Sequence, residues 1–165
     1  MNKKHPQIYV ACLAAYNQGH LHGNWIDADQ EPDELQEEVN RILSTSPVKD
    51  WECCEEWAIH DYDDMPSLGE YVSLQEISDI AKAIAEHGDA YQAYIGHVGL
   101  EFANLANFKD LYIGKFDSEE DFVIERVSET WEIPDHLSNY IDYEKIAVDW
   151  FINDYYFSDG HVFYR

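Results

Sequence analysis

The residues of this sequence best placed for chemistry are His20 and His22, the adjacent Cys53 and Cys54, and the acidic run Asp61-Tyr62-Asp63-Asp64. On a strand, His20 and His22 would share one face, as a metal site requires. No Cys or third His stands at a supporting spacing, so the pair reads as surface or half-buried histidines. Cys53-Cys54 is no C-x-x-C motif, and Glu52, Glu55 and Glu56 beside it disfavour a reactive thiolate. Taken as an EF-hand loop starting at Asp61, the position that must be Gly is Pro66 and the position that must be Glu is Val72. The calcium motif fails. Carboxylate pairs suited to hydrolysis abound, and that abundance removes their signal, because none stands with a nucleophile, an oxyanion loop or a glycine cradle. Phosphate-loop, dinucleotide, zinc-protease and nucleophile-elbow motifs do not occur in the sequence. The expectation is a protein that is not an enzyme and uses no metal or cofactor.

The elements that would carry these residues alternate in type. Residues 7–13 and 20–28 read as strands joined by a loop at Asn17-Gln18-Gly19. Leu35, Val39, Ile42 and Leu43 give residues 33–43 one apolar helical stripe. Pro32 suits the first turn of that helix, and Asp33, Glu34, Glu37 and Glu38 lie toward the end where they complement its dipole. Residues 55–62 form a third strand and complete a β-β-α-β unit. Ser73-x-x-Glu76 is a capping box for a helix over 73–87, which Gly88 stops. Shorter helical pieces are expected at 89–95 and 98–106. Residues 108–117 read as a strand, Ser118 to Asp121 cap a helix to about Thr130, Pro134 opens a short helix, and 142–152 form another. Asp159-Gly160 between two short apolar runs signals a type I′ hairpin. The fold class expected is α+β in three small domains: 1–65 mixed, 66–106 helical and 107–165 mixed.

Charge narrows the function. The chain of 165 residues has 34 Asp and Glu against 10 Lys and Arg, a net charge of -24, with 15% aromatic residues. So many aromatics can build a core, which a disordered acidic chain cannot. The acids are no tail. Residues 1–26 carry Lys3 and Lys4 and no acid; 27–70 carry 15 acids against two bases; 71–165 carry 19 acids against 6 bases. Nucleic acid is nearly excluded as a direct partner and an anionic membrane is disfavoured, because binding phosphate needs Lys and Arg. The implied partner is cationic. The apolar run Ile8–Ala15 is short and broken by Tyr9, so it reads as a buried strand rather than a signal peptide. Three cysteines with no even framework suit a reducing cytoplasm. The crowd of aromatics after Trp131 leaves two readings open, a small core with half-exposed tyrosines or a surface that meets a second subunit.

Duplex DNA carries one charge per ~1.7 Å, so 24 charges match roughly 40 Å of duplex and a dimer's charge about twice that. Three phrases sharpen this comparison: Y-N-x-G-x-L-x-G-x-W from Tyr16, E-x-x-I-H-D-Y-D from Glu56, and N-Y-I-D-Y from Asn139. In these, over nearly its whole length, the chain resembles the ArdA antirestriction proteins. The resemblance implies an elongated, three-domain DNA mimic, carried on mobile genetic elements and acting in conjugation. It implies a homodimer formed through the C-terminal domain, and an inhibitor that occupies the DNA groove of type I methyltransferase and specificity subunits. It also places an antirestriction stretch near the dimer contact, at Trp131, Leu137, Asn139, Tyr140, Ile141, Asp142 and Tyr143. The acids expected to stand where phosphates stand are Asp27, Asp29, Glu31, Asp33, Glu34, Glu37 and Glu38 in the first domain. Asp61, Asp63, Asp64, Glu70, Glu76, Asp79 and Glu86 continue the stripe, with Glu119, Glu120, Asp121, Glu125 and Glu129 nearer the dimer axis. An acidic chaperone for some other basic partner is the alternative.

Overall fold

Ile8, Val10 and Cys12 alternate along β1 (Gln7–Cys12) and are fully buried, which makes this strand the centre of the first sheet. β2 (Gly23–Asp27) and β3 (Trp57–Asp63) pair antiparallel on either side of it, giving the order β2-β1-β3. The computed structural model describes residues 3–165 and divides into two units, the first ending at Gln92 and the second Ala93–Arg165.

In the first unit, α1 (Leu13–Asn17) follows β1, and α2 (Pro32–Ser44) lays Leu35, Val39, Ile42 and Leu43 on the sheet. Glu31 caps α2 reciprocally with Glu34, whose carboxylate accepts the Glu31 N–H at 3.0 Å. α3 (Leu74–His87) packs on α2 through Ile77, Ile80, Ala81 and Ile84. Ser73 Oγ accepts the Glu76 N–H at 3.2 Å to start it, and Gly88 at φ 58° ends it. α4 (Asp89–Val98) contains the boundary between the units.

The second unit is built around β6 (His161–Tyr164), which lies between β4 (Tyr112–Lys115) and β5 (Tyr155–Ser158). Val162 points into a cluster with Phe122, Val123 and Val127 of α6 (Glu119–Thr130) and Ala147 and Phe151 of α7 (Tyr143–Asn153). Phe163 stacks on Tyr156 at 4.7 Å and meets Tyr94 and Phe108 on the other face. Each such ring contributes about 1.5–3 kcal/mol by leaving water. Asp159 (φ 49°) and Gly160 (φ 83°) both take the positive φ that a type I′ turn requires.

The α+β class follows from these elements, and three expectations need correction. Residues 108–117 are not one strand: Leu105–Leu111 form a helix, α5, and only Tyr112–Lys115 pair. Asn104 decides this, since its side chain accepts the N–H groups of Ala106 (2.8 Å) and Asn107 (3.2 Å) and starts a helix that buries Phe108. Accordingly the piece at 98–106 shrinks to a single 3-10 turn, Leu100–Phe102. The loop before β2 is preceded by α1, and β2 begins at Gly23, so His20 and His22 stand ahead of the strand.

Gly23 lies opposite Ala11 where β1 and β2 come close. A Cβ there would strike the Val10 carbonyl oxygen and come within 2.9 Å of Tyr9 Cε1 and 3.0 Å of Ala11 Cα. Gly23→Ala is expected to cost about 1–3 kcal/mol, seen as a lower urea midpoint at unchanged slope. An unchanged midpoint would mean the strands part freely there.

Candidate functional site: the acidic surface and an apolar C-terminal face

A carboxylate without a partner is costly to remove from water. Accordingly, Glu38 and Asp64 are half-buried and every other Asp and Glu is exposed. Each unit carries its own excess: 19 acids against 5 bases in the first, and 15 against 5 in the second. Periodicity sets their direction. On α2, Asp33, Glu34, Glu37 and Glu38 lie off the buried stripe of Leu35, Val39, Ile42 and Leu43; on α3, Glu76, Asp79 and Glu86 face away from the Ile77, Ile80 and Ile84 stripe. On α6, Asp121, Glu125 and Glu129 follow one another at i, i+4 and i+8, about 6 Å apart along the axis.

Several of these acids also hold the fold locally. Asp27 ends β2 and accepts from Gln7 Nε2 at 2.8 Å, while Asp29 lies exposed in the following loop. Glu31 meets Lys82 Nζ at 2.6 Å, and Glu38 meets Arg41 at 3.5 Å. Asp61 accepts the Tyr62 N–H at 2.8 Å, and Asp63 ends β3. Gln75 donates to Asp79 at 2.9 Å, and Glu86 lies 3.6 Å from His87. Glu119, Glu120 and Asp121 occupy the first turn of α6 behind the Ser118 cap, where they complement the helix dipole. Arg126 lies 3.8 Å from Glu129. Glu70 and Glu125 are exposed. The exposed Asp50, Glu52, Asp110, Glu132 and Asp149 stand outside the stripe read from sequence, and no local pattern separates them from it.

Asp64 is the most constrained acid. It sits at φ 54°, accepts the His5 N–H at 3.2 Å and lies 3.4 Å from Lys4 Nζ. The His5 hydrogen bond lowers its pKa; burial opposes this, and the Lys4 charge and hydrogen bond lower it further. Lys4 also reaches Asp89 at 3.2 Å, and hydrogen bonding to Asp89 raises the ammonium pKa.

His22 Nε2 lies 2.8 Å from the Ile42 carbonyl oxygen, and His20 is exposed. Cys12 is buried 3.5 Å from Ser46 Oγ, and the Cys53 thiol is pushed up by hydrogen bonding to Glu55 and by its charge. Among the described residues no cluster of His, Cys, Asp and Glu could hold a metal ion, and no helix is long and apolar enough to cross a membrane.

The second unit carries an apolar surface of its own. Asp142 caps α7 by accepting the Lys145 N–H at 3.0 Å. Trp131 ends α6 and meets Trp150 edge-on at 6.2 Å. Leu137, Asn139 and Tyr140 lie exposed on the 3-10 turn Asp135–Tyr140, with Ile141 and Tyr143 half-buried after it. A cleft of about 460 Å³ opens between Trp131, Tyr140, Ile141, Asp142 and Trp150. Sequence reading missed Val148 and Ile152, which are 58% and 67% exposed on α7. Their i, i+4 spacing beside the buried Ala147 and Phe151 pair was the available signal.

A family model for the antirestriction protein ArdA matches residues 8–163. The chain belongs to the ArdA antirestriction family. The match includes every acid discussed above and the whole of Trp131–Tyr143. ArdA is a family of inhibitor proteins rather than of catalysts. No curated protein matches the chain.

Two outcomes are expected for this surface. Like charges at this density repel, so raising NaCl from about 20 mM to about 500 mM should raise the thermal midpoint by screening them; a midpoint that falls would contradict that. Because the folded Asp64 pKa is depressed, its stabilisation is complete above the ordinary value of 3.8 and is lost only as pH falls through the folded value. The urea midpoint of Asp64→Asn should therefore lie below that of the natural chain by a constant gap between pH 7 and 5. A gap that closes by pH 5 would contradict the assignment.

Proposed function

We propose that this chain blocks type I restriction-modification enzymes by presenting its carboxylates to the DNA-binding groove of their methyltransferase and specificity subunits. The observation that carries this reading is the complete segregation of charge. All the acids lie at the surface, and among the described residues only a few stand within ion-pair distance of a base. The rest are available to Lys and Arg of a partner. A row such as Asp121, Glu125 and Glu129 gives a charge every ~6 Å, whereas each DNA strand gives one per ~3.4 Å. One helix is thus too sparse, and the imitation draws on rows from the stretches 1–65, 66–106 and 107–165 together. The acids named from Asp27 to Glu129 are the proposed contacts.

The chain would act in the cytoplasm, where the enzyme meets incoming DNA, and would protect DNA that arrives with a mobile element. In this proposal it acts as a homodimer joined through the exposed apolar side chains of Trp131, Leu137, Tyr140, Val148 and Ile152. These residues would otherwise leave a patch of apolar surface in water.

Three results test the proposal. Titrated into a complex of labelled DNA with a type I methyltransferase core, the chain should displace DNA near stoichiometry at low salt and progressively less as salt rises. No displacement at low salt would sink the idea. Glu37→Gln should change inhibition by less than about fivefold, since single rim charges contribute under ~1 kcal/mol. Replacing Asp33, Glu34, Glu37 and Glu38 together by amides should weaken it more than about tenfold. Separately, Val148→Asp with Ile152→Asp should give a folded monomer by analytical ultracentrifugation and circular dichroism. A dimer that survives both changes would rule out this face.

A further inference from the structure

One cleft of the first unit differs from the open acidic surface because aromatic rings and carboxylates line it together. It is about 610 Å³ and is lined by Tyr16, Glu56, His60, Glu70 and Tyr71, with no Lys or Arg among its walls. Three pieces of backbone build it. α1 supplies Tyr16, β3 supplies His60, and the segment before α3 supplies Glu70 and Tyr71. Main-chain hydrogen bonds fix these pieces to one another: the Glu56 carbonyl accepts the Leu13 N–H at 3.0 Å, and the Glu70 carbonyl accepts the Ile59 N–H at 3.0 Å. The second bond covers the outer edge of β3, which β1 leaves unpaired. Tyr16 stands edge-on to His60 with ring centroids 4.9 Å apart.

Both tyrosines lie open to solvent, Tyr71 74% exposed and Tyr16 51%, and both line the cleft together with the carboxylates of Glu56 and Glu70. An exposed ring gains little from water, but its face attracts a cation, and a nearby carboxylate adds a charge-assisted hydrogen bond. Of the protein cations, guanidinium fits this pairing best. It is planar, stacks on rings, is more weakly hydrated than ammonium and offers a fork of donors to a carboxylate. A volume of this size is far more than a sodium ion needs and suits a side chain.

We propose that the cleft between Tyr16, His60 and Tyr71 is a binding site for one arginine side chain of the target enzyme, with the ring of Tyr71 against the guanidinium and Glu56 or Glu70 accepting its hydrogen bonds. The proposal rests on the groove-blocking reading for the identity of the partner, though not for the chemistry of the cleft. It adds a localised contact to a surface whose other charges act collectively.

The test has two arms. In the first, the full chain is titrated with N-acetyl-arginine amide, with N-acetyl-lysine amide and with NaCl at matched ionic strength, and the Tyr and His ring resonances are followed. The arginine probe should give saturable shifts at Tyr16, His60 and Tyr71 in the millimolar range. The lysine probe should give weaker ones, and Tyr71→Ala should abolish them while leaving the circular dichroism unchanged. Shifts spread over the whole surface without saturation at the cleft would overturn the proposal. In the second arm, Tyr71→Ala should weaken displacement of DNA about fivefold. That loss should persist at high salt, where the loss from Glu37→Gln fades. A Tyr71→Ala chain as potent as the natural one would overturn the proposal. A cleft that saturates with the arginine probe, in a natural chain that displaces no DNA, would uphold the guanidinium site and overturn the groove-blocking reading instead.

Discussion

A carboxylate taken out of water without a partner costs several kcal/mol, and two carboxylates brought close together in water still repel. With 34 acids and 10 basic residues, this chain cannot pair its way out of that constraint. The acids have to lie outward, and the core has to be built from apolar positions inward of them. That requirement shapes the helices. α2 and α3 each devote one stripe to the core and leave most of what remains to charge, and acids crowd the first turn of α6 where the helix dipole favours them. The surface is thus a consequence of which acids the fold can expose, and the fold buries none of them.

Holding such a surface together takes a dense interior. The second unit supplies it with rings: Phe122 meets Phe116, Phe151 and Tyr155, while Phe163 lies among Tyr94, Phe108, Tyr112 and Tyr156. β6 is buried on both faces as a result, so one short strand carries two halves of a core. Burial pushes the pKa of Tyr156, and of Tyr62 in the first unit, up to about 12. This packing accounts for most of the aromatic residues crowded after Trp131. In that part of the chain it leaves Trp131, Tyr140, Val148 and Ile152 exposed.

Features written into a few neighbouring residues were legible in the sequence. The Ser73 cap, the Gly88 stop, the Ser118 cap and the Asp159-Gly160 turn each depend on a local hydrogen bond or a positive φ, and each stands where its residues put it. The stretch after Asn104 was not legible, because Phe108, Leu111 and Tyr112 have helical spacing while the run Leu111-Tyr112-Ile113 suits a strand, and the Asn104 side chain marks where the helix starts. α1 was hidden for a related reason: the run Ile8–Ala15 is apolar on every side and carries no period to mark the change at Leu13. For the acidic surface the difficulty is of another kind. Glu37 and Glu52 are both exposed, and nothing in the sequence around either says which would meet a partner. Membership of the ArdA family fixes the antirestriction role but does not sort the acids.

The central claim is that acids distributed along the chain, acting together, form the binding surface. Carboxyl labelling with a water-soluble carbodiimide, read by mass spectrometry with and without a type I methyltransferase core, tests it residue by residue. The account predicts protection of many acids in both units, including those of α2, α3 and α6, with each protected only in part. Protection confined to one small patch, or none beyond the apolar face of the second unit, would contradict it.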